Sequence, residues 1–289
     1  MWSDVFTTQE ANDYIERVRP TLENHVQGNR IVREIEKRGG VNRQTEARIV
    51  KPLLFEARFA FDLVVSGVDW EYEHKTGVND SSVDFRIEKA GVRFLIELVS
   101  IQASATAKAN MVDCGAGIYS QIFGGVGSDP KMSIAQEMIL VQQKLLEKVA
   151  GNRGPTKFPC PVPNVVHGIV ADLRGFLEEG GDTEDYRQIV YGHAGLSEEQ
   201  EQYGVSYSQG DKNVPVRGLF DPKCPAKEAK QLQDRVHFVG IVAERAYGDS
   251  PLVGKLESFE NPSLSVSQEA SMALQEIVRA AKGYMGSGK

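Results

Sequence analysis

The stretch that decides the fold is Ser82–Ser100, SVDFRIEKAGVRFLIELVS. Its first half alternates apolar and polar residues, and its second half is almost continuously apolar, which is the pattern of an alternating strand followed by a buried one. Lys89-Ala90-Gly91 lies between the halves and has the composition of a tight turn. The sequence therefore predicts a β-hairpin whose second strand belongs to a protein core.

Two carboxylates lie on this hairpin. Asp84 is on the first strand, and Glu97 interrupts the apolar run Phe94–Val99 of the second. An acid within a core strand costs several kcal/mol unless it is paired or binds a metal. The sequence leaves two partners open for Glu97: a divalent cation, or a buried arginine such as Arg58 or Arg93.

The flanking segments predict a mixed α/β architecture. Helices are expected in residues 3–50, with breaks near Pro20 and Gly39-Gly40, and at 51–66, 131–149 and 265–282; strands are expected at 69–73, 164–173 and 235–245. Segments with helical and with alternating periodicity follow one another, which favours a mixed β-sheet core flanked by helices.

Two segments stand apart from this core. Residues 1–50 are predicted to be an N-terminal helical segment, and residues 51–289 the α/β domain. Within that domain, the polar residues 174–234 are predicted to be an excursion that contributes little core. Residues 102–130, rich in Ala, Gly and Ser, favour a mobile loop over a site.

Composition excludes several classes of protein. The chain has 289 residues, 41% hydrophobic and 25% charged, and a net charge of −7. The negative charge disfavours a broad nucleic-acid-coating surface but allows a local cleft lined by metal ligands. No apolar run is long enough for a membrane span, and the N-terminus lacks the pattern of a signal peptide. The three cysteines have neither zinc-site nor disulfide spacing, so we expect a cytoplasmic protein.

A further acid lies on the helix before the hairpin. Glu56 is surrounded by apolar residues in FEARFAFDLVVSG, which precedes VDWEYEHK and VDFRIEKAGVRFLIELVS. This order resembles the core of the PD-(D/E)XK nuclease superfamily over about residues 50–175. Glu56 matches the helix acid, Val83-Asp84 the "PD" position, and Glu97-Leu98-Val99 the "(D/E)-x-K" position.

The resemblance implies a restriction-endonuclease-like fold and a hydrolase that cleaves phosphodiester bonds, with DNA as the expected nucleic acid in a local cleft. Glu56, Asp84 and Glu97 would be both catalytic residues and ligands of Mg²⁺ or Mn²⁺, since clusters of oxygen donors suit these ions. Such ions activate water and stabilise the transition state of hydrolysis. Nucleases of this fold often work as dimers, so a homodimer is compatible with the resemblance.

The chain departs from the family pattern at its lysine. Val99 replaces the residue that normally lies beside the motif acid, because positions two apart on a strand share a face. On the following helix, Lys144 is the expected catalytic substitute and Lys148 a further candidate. Lys75 and Lys108 are weaker candidates.

Other interpretations stay open. The loss of the motif lysine and the negative net charge also favour a catalytically inactive nuclease-like protein that serves as a binding or assembly module. Asp84 alone is compatible with an exposed strand acid, and Glu56 with a helix acid that faces solvent. A third reading is an α/β enzyme with another metal chemistry, unrelated to nucleic acid.

Overall fold

The computed structural model describes residues 8–38, 47–101, 111–115, 118–121, 134–151, 156–174, 181–196, 204–209, 212–244, 247, 252 and 255–286. Its helices are α1 (Thr8–Glu23), α2 (Val26–Lys37), α3 (Ala47–Val65), α4 (Ile134–Val149), α5 (Thr183–Tyr191), α6 (Ala229–Arg235) and α7 (Gln268–Gly286). Its strands are β1 (Asp69–Lys75), β2 (Ser82–Lys89), β3 (Val92–Ser100), β4 (Met111–Gly115), β5 (Ile118–Gln121), β6 (Val165–Asp172), β7 (Ser206–Gln209), β8 (Lys212–Pro215), β9 (Phe238–Val242) and β10 (Glu257–Glu260). Lys108 and most of residues 102–130 lie outside the described residues.

A six-stranded mixed sheet has the order β1-β2-β3-β6-β9-β10. β1, β2 and β3 are antiparallel neighbours, β3, β6 and β9 are parallel, and β10 is antiparallel to β9. Helices cover both faces, so the predicted mixed α/β sheet flanked by helices is confirmed. The carboxyl ends of the parallel strands meet at one edge, where Ser100 pairs with Asp172 and Asp172 with Val242.

The predicted hairpin is formed by β2 and β3. Ala90 and Gly91 make a two-residue turn with φ of 51° and 78°, the left-handed conformation whose twist suits a hairpin. β2 alternates buried and half-buried residues, whereas Phe94–Val99 of β3 is buried throughout. The contrast follows from position, because β3 lies inside the sheet and is covered on both faces.

The two faces of the sheet bury separate cores. The first layer holds α1, α2, α3 and α7 and the second holds α4, α5 and α6. Side chains alternate along β3, so Phe94, Ile96 and Leu98 pack in the first layer, and Leu95 and Val99 in the second. Glu97 lies midway between Leu95 and Val99 in the sequence and therefore on the α4 side of the sheet.

The N-terminal helices belong to the first-layer core together with the sheet. Helix α1 continues through Pro20 and ends at Glu23. Helix α2 then begins at Val26, and the side chain of its N-cap residue His25 accepts a hydrogen bond from the Gly28 amide at Nδ1. The break expected at Pro20 is therefore displaced by a few residues. Helix α3 begins at Ala47 and contains Pro52. Gly67, at φ 61°, follows its end, a conformation that glycine adopts readily after a helix.

The polar segment 174–234 contributes more core than predicted. Among its described residues, the buried apolar side chains line the second layer and are Tyr186, Ile189, Val190, Val216, Leu219, Phe220, Ala229 and Leu232. Between them in the sequence lie many polar residues, so the average composition of the segment does not reveal them. Asp182 caps α5 through a reciprocal capping box with Asp185.

A buried ionic network joins α3 to the end of β9. Arg58 is 0% exposed; its Nε and Nη2 donate to Glu244 at 3.1 and 3.2 Å, and its Nη1 donates to Asp62 at 3.2 Å. Lys255 donates to Glu244 at 2.6 Å. The network therefore fixes the rotation of the helix that carries Glu56.

No helix in the described ranges has the length and apolarity to cross a membrane.

Candidate functional site

The strands of the hairpin separate near Asp84. The pairing of β2 with β3 extends from the turn to Phe85 and Ile96. Beyond it, Asp84 Oδ2 accepts a hydrogen bond of 2.6 Å from the Leu98 amide. The carboxylate thus binds a backbone group of β3 and holds the acid of β2 beside Glu97.

Glu97 is a buried carboxylate with two cationic partners. Its side chain is 3% exposed, and its Oε1 lies 3.0 Å from Lys148 Nζ and 2.9 Å from Lys157 Nζ. Its Oε2 is buried and has no hydrogen-bond partner among the described residues. Glu97 is therefore paired, but by lysines: Arg58 binds Glu244 and Asp62, and Arg93 binds Glu88. The arginine partners expected from the sequence are wrong.

Glu56 approaches from the opposite layer. It lies on α3, and its Oε2 accepts a hydrogen bond of 2.5 Å from the Tyr72 hydroxyl. Tyr72 is a buried residue of β1, so the contact ties the helix acid to the sheet.

The three acids influence one another electrostatically. Burial raises the pKa of Glu56 to about 7, with Glu97 adding to the rise, whereas the Tyr72 hydrogen bond and Lys148 oppose it. Burial and the neighbouring Glu97 and Glu56 raise the pKa of Asp84 well above its ordinary value. Burial alone would lower the pKa of Lys148, but Glu97, Asp84 and Glu56 raise it. The cluster is rich in negative charge, and Lys148 interacts with all three acids.

A cleft of about 210 Å³ opens beside these groups. It lies between α3, α4 and the end of β3, and is lined by Pro52, Phe55, Glu56, Leu98, Val99, Ser100, Lys144, Glu147 and Lys148. Its polar lining comes from both helices, so the two layers meet here at the carboxyl edge of the sheet.

The donor chemistry fits a hard divalent cation, which prefers carboxylate oxygens. The buried, unpartnered Oε2 of Glu97 is the observation in favour, since such an oxygen costs free energy unless something binds it. As the side chains stand, no group of three or more His, Cys, Asp or Glu residues in the described part of the chain is arranged to hold a metal. The two lysines instead supply the positive charge at Glu97.

The structure shows which of the candidate lysines lies near Glu97. Lys144 lies on the cleft wall, but its Nζ pairs with Glu147 at 2.7 Å. Lys148, one turn further along α4, is the one of these helix lysines that contacts Glu97, at 3.0 Å. Lys75 is exposed and donates to the carbonyl of Asp80.

Gln142 of α4 is buried, and its amide donates to the carbonyls of Ile189 and Arg217 at 2.9 and 2.7 Å. It fastens α4 to the segment after β6. Val99 is buried in the second layer, as its apolar side chain requires.

Sequence reasoning missed Lys157 and Tyr72 as members of the site. In the sequence Lys157 follows GNRGPT, residues 151–156, and nothing local distinguishes it from a surface lysine. Tyr72 has the appearance of an ordinary apolar residue of an alternating strand. Only the register of Tyr72 with Phe85, next to Asp84, hints at its position.

No family model matches the chain, and comparisons with curated proteins and with solved structures give no match either. The functional reading is therefore built on the geometry of these side chains.

Proposed function

We propose that the protein is a metal-dependent nuclease that hydrolyses phosphodiester bonds in DNA, on a core similar to the restriction-endonuclease fold. The observation that carries the proposal is that Lys148, on the wall of the cleft, contacts Glu97 at 3.0 Å and interacts electrostatically with Asp84 and Glu56 as well. The acids come from the helix and the two hairpin strands that the PD-(D/E)XK resemblance implies. The raised pKa values of Glu56 and Asp84 are typical of functional sites.

All three acids are metal ligands in this proposal. Asp84 and Glu97 would hold Mg²⁺ or Mn²⁺, with Glu56 as a further ligand. When bound, the cation supplies the charge that activates water and stabilises the pentavalent transition state. Tyr72 holds the Glu56 carboxylate in place through its hydroxyl.

Lys148 takes the role of the missing motif lysine. It interacts with Glu97 from a different element, because α4 brings its ammonium over the strand position that Val99 leaves apolar. An ammonium at the cleft wall can pair with a phosphate oxygen and offset the negative charge that develops during hydrolysis. The proposed catalytic lysine is therefore Lys148, one turn beyond Lys144.

The test is a calorimetric titration with Mn²⁺ of the wild type and of Glu97→Ala and Glu97→Gln. We expect wild-type binding to weaken at least about tenfold in both variants, and DNA cleavage to disappear with it. Glu147→Ala is the matched control, because Glu147 lies on the same cleft wall but its carboxylate pairs with Lys144 rather than with the groups around Glu97. Cleavage that persists in the Glu97 variants, or a wild type that binds no Mn²⁺ with or without an oligonucleotide, would refute the proposal.

A second candidate is an inactive nuclease-like module that binds or assembles with a partner. The pairing of Glu97 with two lysines favours it, because a carboxylate neutralised in this way has a structural reason to be buried. Under this reading Val99→Lys restores neither Mn²⁺ binding nor cleavage. The two candidates therefore differ in the metal titration.

A further inference from the structure

Two lysine ammonium groups contact the same carboxylate oxygen of Glu97. Lys148 and Lys157 both contact Oε1, at 3.0 and 2.9 Å, whereas Oε2 has no partner among the described residues. One ammonium neutralises one carboxylate, so the second positive charge is not needed for Glu97 alone. The two lysines are also held in different ways.

Lys157 is part of a fixed segment. Its backbone amide donates to the carbonyl of Val149 at 2.9 Å. The next residue, Phe158, is 1% exposed and stacks on His167 with ring centroids 5.4 Å apart. The side chain of Lys157 is only 16% exposed, so its ammonium has little room to leave Glu97.

Lys148 has more freedom and more partners. Its side chain is 36% exposed and lines the cleft at the end of α4. Its ammonium interacts electrostatically with Asp84 and Glu56 as well as Glu97. It therefore stands among the carboxylates proposed as metal ligands and has open space in front of it.

We propose that Lys148 is an exchangeable cation that holds the place of the divalent metal, and that Lys157 is the permanent counter-ion of Glu97. This inference rests on the proposed metal-dependent function. On metal binding, the Lys148 ammonium leaves Glu97 and turns along the cleft, where it meets the phosphate of the substrate. Lys157 stays in place, so Glu97 keeps a positive partner throughout the exchange.

The exchange has an unusual consequence for a proposed catalytic lysine. A variant that lacks the Lys148 ammonium removes a cation that competes for the same oxygens. Metal binding should then become tighter while cleavage is lost. A lysine that only helped to hold the metal site together would have the opposite effect on binding.

The experiment compares Mn²⁺ affinity, measured by calorimetry, in the wild type and in Lys148→Met and Lys148→Gln. We expect both variants to bind at least about tenfold more tightly, because a unit charge close to the metal is removed. Lys144→Met is the control: it removes the same charge from the same helix without touching Glu97, and should change affinity less than about twofold.

A second readout follows the ammonium groups directly, by nuclear magnetic resonance of ¹⁵N-lysine-labelled wild-type protein titrated with Mg²⁺. We expect the Lys148 signal to change on binding and the Lys157 signal to persist. Equal or weaker Mn²⁺ binding in both Lys148 variants, with a wild type that binds, would overturn the exchange alone. A wild type and variants that all fail to bind would refute the proposed function itself.

Discussion

Arg58→Met tests how firmly the helix that carries Glu56 is fixed. The guanidinium is completely buried and makes two contacts with Glu244 and one with Asp62. Methionine fills much of the volume but leaves both carboxylates without this cation. Removal of one partner from a buried ion pair costs about 3–5 kcal/mol. Because Lys255 still contacts Glu244 at 2.6 Å, we expect about 3 kcal/mol.

The assay is urea unfolding at neutral pH, followed by circular dichroism. Lys230→Met is the control, because Lys230 pairs with Asp234 on the surface. The Lys230 side chain is 72% exposed and that of Asp234 is 47% exposed. This substitution should lower the free energy of unfolding by less than about 0.5 kcal/mol. The double variant Arg58→Met/Glu244→Gln should recover part of the loss, since it removes an uncompensated charge. A loss below about 1 kcal/mol in Arg58→Met would refute the reasoning.

Two further predictions concern titrating groups. Burial lowers the pKa of His167 to about 4. Between pH 6.5 and 4 this histidine is therefore protonated in the unfolded chain but neutral in the folded protein. Its protonation should lower the free energy of unfolding by about 2 kcal/mol at pH 5 relative to pH 7. Unfolding at both pH values checks this, and an equal loss in His167→Gln would contradict it. Tyr72→Phe removes a hydrogen bond that lowers the pKa of Glu56, so that pKa should rise above about 7. Carboxyl ¹³C resonances of the metal-free protein measure it, and an unchanged value would show that the hydroxyl does not stabilise the charged form.

The elements that could be predicted from the sequence are those whose pattern is local. The hairpin was predicted because alternation, a continuous apolar run and a two-residue turn lie within Ser82–Ser100. Glu97 drew attention for the same reason: a charge inside an apolar run needs a partner wherever the rest of the chain lies.

The partner itself could not be predicted, because the contact joins distant parts of the chain. Lys157 lies 60 positions after Glu97, and Glu244 lies 186 positions after Arg58. Charge and spacing contain no information about such pairs until β3, β6 and β9 align. Lys144 was the wrong choice between two lysines one helical turn apart. Lys144 and Lys148 both fit the polar face of α4, and the sequence does not show which of them contacts Glu97.

The order of the strands also bears on how the protein folds. β1, β2 and β3 pair with their neighbours in sequence, so Asp84 and Glu97 can come together through short loops early in folding. Lys148 and Lys157 reach them only when β6 pairs with β3 across a long connection, a step slowed by loop closure. We therefore expect Asp84 and Glu97 to come together before their cations reach them. Ionic strength or a divalent ion present during refolding should therefore affect the rate at which the second layer docks.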